Sequence, residues 1–294
     1  MRWIPVVAAV GLLMAGLAVL TLGVWPLPSP RAPVALAGDA KRGAYLARLS
    51  GCVTCHTAPG NEPMSGGAAL PSRFGTFYAP NITPDPTHGI GSWTLDQFDR
   101  AVRQGVSPDN SPYYPAFPYE FYASLTDQDV ADLWAALRAV PAVATPSQPN
   151  EVGFPFNVRD GLKLWRTFFE RPFVYREEPQ RSVSWNRGRY LVLGPAHCGA
   201  CHTPRNALGG LVSDQSLAGD PVMQDGGRSP SLTWKDLTAR GWTTESLVSA
   251  LRTGVLPDGD TFGGSMAEVV HGSTGFLLTQ HLEDMAAYLL NRGE

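Results

Sequence analysis

Cysteine and lysine are scarce in this 294-residue chain, and clusters of positive charge are missing. The 23 basic side chains are almost all arginine, since only Lys41, Lys163 and Lys235 are lysines. With a formal net charge of −3 and no run of basic residues, the chain lacks the signature of a nucleic-acid-binding protein, so no nucleic-acid partner is expected. Only four cysteines occur, and they fall in two identical five-residue patterns.

Charge is also absent from the stretch Trp3 to Trp25, which is mostly Val, Ala, Leu and Gly. A helix of this length, rising about 1.5 Å per residue, can cross a bilayer core of roughly 30 Å. Because Arg2 precedes the stretch, we expect a single pass through the inner (cytoplasmic) membrane with the remainder in the periplasm. A cleaved signal peptide is the alternative, because "ALA" at 35–37 resembles a cleavage site. The apolar run is long for a signal peptide, which favours the anchor.

Cysteine and histidine coincide in two motifs, "CVTCH" at 52–56 and "CGACH" at 198–202. This C-x-x-C-H spacing lets two thiols bond to the vinyl groups of one haem and places the histidine on one axial face of the iron. A zinc site would need further ligands, and a redox-active C-x-x-C does not require the histidine. We therefore predict two covalently bound c-type haems. The residues predicted to hold them are Cys52, Cys55, Cys198, Cys201, His56 and His202.

The chain around each motif is repeated. "WTLDQFDRAVRQGVSPD" from Trp93 matches "WTTESLVSALRTGVLPD" from Trp242, at an offset of 149 residues. The segments that lead into the two motifs also match, with one inserted residue, so one unit is used twice and each unit wraps one haem. Helical patterns dominate both units, with capping-box spacing at Thr94 and at Thr126, and no clear alternating strand is present.

The second axial ligand of each haem is less evident. Methionine is common in this role. Met266 lies in "FGGSMAEVV", which we predict to be a Gly-rich loop that returns a sulfur to the second haem. Met223 is the lesser alternative for this ligand. The offset of 149 places Phe117, in "SPYYPAFPYE", at the position of Met266, and phenylalanine cannot bind iron. The sixth ligand of the first haem is thus unknown: an open or weakly ligated iron is favoured, with Met64 and His88 as substitute candidates.

Several segments together resemble the cytochrome c subunits of membrane-bound periplasmic dehydrogenases that oxidise alcohols, gluconate or aldehydes. These are "GAYLARLSGCVTCHTAPG", "YYPAFPY", "FPFNVRDGLKLW", "NRGRYLVLGPAHCGACHTPRNALGG" and "MAEVVHGST". The resemblance covers about residues 39–290 and implies haem thioethers at the four cysteines, proximal ligands His56 and His202, and a distal ligand Met266. Two departures matter: many relatives carry three haems, and the "YPAFPY" loop often has methionine in place of Phe117.

The expected fold is all-α, with two tandem class I-like cytochrome c domains behind an N-terminal transmembrane helix. The connector is expected to start as an extended strap and to contain one amphipathic helix, in "RDGLKLWRTFFE". The predicted parts are a membrane anchor and linker (1–37), a first cytochrome c domain (38–140), a connector (141–180) and a second cytochrome c domain (181–294).

Electron transfer is the function expected from the motifs and the resemblance. A periplasmic dehydrogenase subunit would be the electron donor, and quinone, a terminal oxidase or a soluble cytochrome in the respiratory chain would be the acceptor. The alternative is a haem enzyme that uses an open first haem to reduce peroxide or to oxidise a small sulfur compound. Such an enzyme would need a distal acid–base group or a cysteine ligand, and the loop offers only Tyr113, Tyr114 and Glu120. A non-catalytic subunit of a dehydrogenase complex is therefore favoured.

Overall fold

A computed structural model describes residues 7, 16–17, 21 and 25–291. In this part of the chain, no helix is both long and apolar enough to cross a membrane. The predicted membrane-spanning stretch, Trp3 to Trp25, lies outside the described residues except for a few positions, so the anchor stays a prediction.

The described chain is mainly helical, which confirms that part of the predicted fold class. Its α-helices are α1 (Ala40–Leu49), α2 (Cys52–His56), α3 (Leu95–Gln104), α4 (Tyr119–Tyr122), α5 (Asp127–Ala139), α6 (Gly161–Phe169), α7 (Val183–Leu193), α8 (Gly199–His202), α9 (Trp234–Ala239), α10 (Thr244–Thr253), α11 (Gly264–Gly272) and α12 (Thr279–Leu289). Two short 3-10 helices span Ser213–Gln215 and Thr274–Phe276.

Side-chain caps explain where several helices begin. Thr94 accepts a hydrogen bond from the N–H of Gln97, whose side chain accepts from the N–H of Thr94, so a complete capping box precedes α3. Thr126 and Asp129 form the same box before α5, as predicted. Thr243 heads a third box before α10, the repeat counterpart of α3. Each box satisfies two backbone donors that the first helical turn leaves unpaired.

A three-stranded antiparallel sheet was not predicted from the sequence. It consists of β1 (Ala69–Ser72), β2 (Gly75–Tyr78) and β3 (Glu151–Val152), in that order. Gly75 has a φ of 129°, and a Cβ added there would lie 2.1 Å from the carbonyl oxygen of Glu151, so glycine is needed for β3 to approach. The connector, which was expected to start as an extended strap, therefore supplies an edge strand to the sheet formed by β1 and β2.

Two crossing helix pairs stand at the centres of the two halves of the chain, called here the first half (38–140) and the second half (181–291). In the first half α1 crosses α5, and in the second half α7 crosses α12. Buried apolar side chains of both pairs belong to one continuous cluster. The cluster includes Leu46, Leu49, Val130, Leu133 and Leu137 in the first half, and Leu191, Val192, Leu282, Met285 and Leu289 in the second.

Helix α6 of the connector packs between the halves. The guanidinium of Arg166 donates to the carbonyls of Gly105 and Gln104 in the first half, at 2.9 and 2.5 Å. The indole N–H of Trp165 donates to the carbonyl of Leu208 in the second half, at 2.8 Å. The predicted amphipathic helix is therefore confirmed, and its contacts hold the two halves together.

Candidate metal centres

Each C-x-x-C-H motif folds into a single helical turn. Helix α2 comprises the whole first motif, and Cys198 directly precedes α8 in the second. Residues at i, i+3 and i+4 lie on one side of a helix, so the two thiols and the imidazole of each motif share a side. Gly51, with a φ of 68°, allows the sharp turn from α1 into the first motif.

The two motif histidines are held in the same way. Nδ1 of His56 lies 2.7 Å from the carbonyl oxygen of Pro80, and Nδ1 of His202 lies 2.8 Å from that of Pro230. A carbonyl only accepts, so Nδ1 carries the proton in both rings and Nε2 retains its lone pair. Burial lowers the pKa of both imidazoles, which favours the neutral rings. An axial ligand requires this tautomer, so the residues present fit a haem iron in each motif.

The motif thiols do not resemble those of a redox-active or nucleophilic site. Burial raises the pKa of Cys52 and Cys198 to about 12 and that of Cys55 to about 11. Reactive cysteines instead have lowered pKa values, because nearby positive charge stabilises the thiolate. None of the four cysteines forms a disulfide, so all four are available for thioether bonds to a porphyrin.

The two motifs lie against each other across the halves. A Cβ added to Gly51 would lie 3.3 Å from Cε1 of His197, the residue that precedes the second motif. A Cβ added to Gly272, at the end of α11, would lie 2.2 Å from Oγ1 of Thr54 inside the first motif. The two predicted haem sites are therefore neighbours.

Several residues of these sites were not identified from the sequence. The carbonyls of Pro80 and Pro230 orient the histidines, and the ring of His197 makes a T-shaped contact with Tyr122, with centroids 5.6 Å apart. A signal for the prolines does exist, because "APNIT" at 79–83 and "SPSLT" at 229–233 continue the repeat. His197 has no such signal, since its contact joins the two halves.

Met266 lies in helix α11 and not in the predicted loop, because the glycines that suggested a loop begin the helix. Its side chain is partly buried against the main apolar cluster, and so is that of Phe117. Met64, His88 and Met223 all lie on segments between a motif histidine and the helix that starts with a capping box. These three candidate ligands therefore lie before the helix with the capping box in each half, whereas Phe117 and Met266 lie after it.

Comparison with known proteins gives several close relatives, although no family model matches. The chain is 41% identical over 290 residues to "Diheme cytochrome c-type" of Cereibacter sphaeroides, covering 94% of this chain and 96% of that protein. It is 39% identical over 260 residues to "Alcohol dehydrogenase (quinone), cytochrome c subunit" of Gluconobacter oxydans, covering 85% and 54%. It is also 39% identical over 256 residues to "Fructose dehydrogenase cytochrome subunit" of Gluconobacter japonicus, covering 84% and 51%. The chain thus spans about half the length of the two dehydrogenase subunits.

Proposed function

The chain belongs to the family of dihaem c-type cytochromes, and from that premise we propose that it carries electrons from a partner dehydrogenase toward the respiratory chain. It holds two c-type haems, and we assign one haem to each motif. The observation that carries the proposal is the matched pair of histidines, both fixed through Nδ1 with Nε2 free for a metal. Each half is then one class I-like cytochrome c domain.

The roles of the residues follow from this assignment. The four cysteines would form the thioethers, His56 and His202 would bind the irons through Nε2, and Met266 would be the second iron ligand in the second half. A bound haem supplies a reversible one-electron couple at its iron. The prolyl carbonyls at 80 and 230 keep the histidine rings oriented and strengthen them as ligands.

The contact between the motifs supports a carrier. Gly51 meets His197 and Thr54 meets Gly272, so the two sites adjoin within a single chain. Electrons can therefore enter at one half and leave at the other without a further protein between them. This arrangement suits a relay that faces a donor and an acceptor on different surfaces.

The donor that we propose is a periplasmic dehydrogenase subunit, since relatives of this chain are named as cytochrome subunits of alcohol and fructose dehydrogenases. Quinone, a terminal oxidase or a soluble cytochrome would accept the electrons. The uncharged stretch from Trp3 to Trp25 would anchor the chain in the inner membrane, with both halves in the periplasm.

The test uses the full chain, produced in a host that attaches c-type haem. We expect two haems per chain by pyridine haemochrome assay and by intact mass, and a loss of one in the Cys198→Ala/Cys201→Ala variant. The reduced dehydrogenase should then reduce the protein in stopped-flow mixing. Fewer than two haems, or no reduction by any candidate dehydrogenase encoded beside it, would refute the proposal. Rapid peroxide turnover by the isolated chain would instead favour an enzyme.

A further inference from the structure

The loop that follows α3 has the same backbone structure as the loop that follows α10. The N–H of Tyr113 donates to the carbonyl of the glycine that caps α3, and the N–H of Phe262 donates to that of the glycine that caps α10, at 2.8 Å in both. Each loop is also closed by one isolated antiparallel bridge. Phe117 stands four residues after Tyr113, and Met266 stands four residues after Phe262. Phe117 and Met266 therefore follow equivalent loops at the same spacing, Phe117 two residues before α4 and Met266 in the first turn of α11.

Phe117 lies in a group of aromatic rings next to the first motif. Its ring centroid is 5.8 Å from Tyr113, 6.3 Å from Tyr119 and 5.8 Å from Tyr122. The hydroxyl of Tyr122 donates to the carbonyl of Ser50 at 2.5 Å, two residues before the first cysteine. These rings themselves offer packing contacts and no iron ligand. The imidazole of His197 packs edge-on against Tyr122 from the second half, with ring centroids 5.6 Å apart.

Met64, the first substitute candidate, has a packing counterpart in the second half. The N–H of Met64 donates to the hydroxyl of the threonine after His56, at 3.1 Å, and the N–H of Leu217 donates to that of the threonine after His202, at 3.0 Å. Both residues have positive φ values, 63° and 61°. Both are also almost completely buried, at 6% exposure. Leu217 fills this position in the second half as a buried core side chain, so a core role accounts for Met64 without binding to iron.

His88, the second candidate, lies in a turn that Asp85 closes by accepting the N–H of His88 at 2.7 Å. The counterpart of this turn in the second half is α9, which begins shortly after Pro230. The turn therefore extends from the segment that orients the proximal histidine. Met266, by contrast, follows α10, so His88 and Met266 lie on different segments of their halves.

We propose that the first haem has His56 as its only protein ligand, and that its other axial face binds a small neutral diatomic molecule such as carbon monoxide or nitric oxide beside Phe117. The inference rests on the haem sites proposed above and adds a ligand-binding property to one of them. The second haem, with Met266 available, is closed to such ligands. Phe117 and the neighbouring tyrosines restrict the size of the ligand, because they pack closely around the position of the missing sulfur.

The experiment is a carbon monoxide titration of the reduced full-length dihaem protein, followed by absorption spectroscopy. We expect one carbon monoxide per two haems, and in the ferric protein one high-spin and one low-spin signal by electron paramagnetic resonance. Binding to neither haem, binding to both, or two low-spin signals would overturn the inference. A preparation with fewer than two haems would count against the proposed function, and haem content is measured first for this reason.

Three variants identify the residues responsible. Phe117→Met supplies the sulfur at the equivalent position, so it should abolish carbon monoxide binding and add a second methionine-to-ferric-iron charge-transfer band. Phe117→Leu removes the ring without adding a ligand and should retain the binding, with faster association. Met64→Leu copies Leu217 and should leave the stoichiometry and both ferric signals unchanged. A change of spin state in Met64→Leu would identify Met64 as a ligand and overturn the inference.

Discussion

The crossing of α1 and α5 allows a direct test of how the first half is packed. Gly43 lies at the crossing, where an added Cβ would be 1.8 Å from the carbonyl oxygen of Asp132. Gly188 lies at the crossing of α7 and α12, where the same distance to the carbonyl of Asp284 is also 1.8 Å. Gly43→Ala and Gly188→Ala should therefore each destabilise their own half.

Two opposing effects decide the size of the loss. Alanine favours a helix over glycine by about 1 kcal/mol. The added methyl group, however, meets a backbone carbonyl of the facing helix, and this carbonyl cannot rotate aside. The two helices must therefore move apart by roughly 1 Å before the methyl–oxygen distance reaches the shortest contacts found in proteins. Such overpacking costs about 1–3 kcal/mol or more. Because a contact of 1.8 Å is far shorter than real Cβ contacts, the upper end of this range applies, and we expect a net loss of about 2 kcal/mol in each variant.

Thermal unfolding of the dihaem protein, followed by far-ultraviolet circular dichroism, measures this loss as a lower midpoint. Gly161→Ala is the matched control, because Gly161 is the first residue of α6 and an added Cβ would have nothing within 4 Å. The control should unfold at the wild-type midpoint or slightly above it. If Gly43→Ala also unfolds there, the close backbone contact is not required for the pairing of α1 with α5.

Three further predictions concern the ligand and the buried carboxylates. Met266→Leu should remove the methionine-to-ferric-iron charge-transfer band in near-infrared spectra. It should also lower the reduction potential of the second haem in a redox titration, because a thioether ligand raises that potential. An unchanged band would refute Met266 as the ligand. In Asp132, burial acts to raise the pKa, but hydrogen bonds, chiefly from Arg42, outweigh burial and lower it below 3.8. The ionised Asp132 thus contributes stability above about pH 4, and this contribution is lost as the pH falls through the folded pKa. Urea unfolding should therefore show a lower stability of Asp132→Asn than of wild type at pH 7 and no difference at pH 2. A difference that does not change with pH would contradict this. Burial raises the pKa of Glu120 above 4.5, and the charge of Arg205 opposes this shift. Wild type therefore loses stability relative to Glu120→Gln as the pH rises above about 4.5. A constant stability difference across that range would show that folding does not raise the pKa of Glu120.

Much of the helical framework was predictable because its signals are local. The capping boxes at Thr94 and Thr126 each require only four consecutive residues, and both occur as predicted. The repeat of α3 in α10 follows from matching letters at a constant offset. The motifs themselves are defined by five residues each, so the positions of the thiols and imidazoles on one helical turn follow from spacing alone.

The sheet and the start of α11 were not predictable in the same way. Strands β1 and β2 have four residues each, too few for an alternating pattern to stand out, and β2 is completed by β3 from the distant connector. The glycines before Met266 indicated a loop on propensity alone. The end of helix α11 packs against Thr54 of the first motif, and this contact between halves has no local signal.

The position of the two motifs relative to each other also depends on contacts between the first and the second half. A tandem repeat predicts two equal sites and leaves their orientation open, because identical units can associate through many surfaces. Here Gly51 and His197, which each directly precede the first cysteine of a motif, meet at the boundary between the halves. Any packing that joins these two positions brings the two covalently held cofactors together, whatever the partner protein is. The halves are thus adjacent where the two motifs meet and differ at Phe117 and Met266. The proposed electron exchange depends on the first feature, and the proposed ligand binding depends on the second.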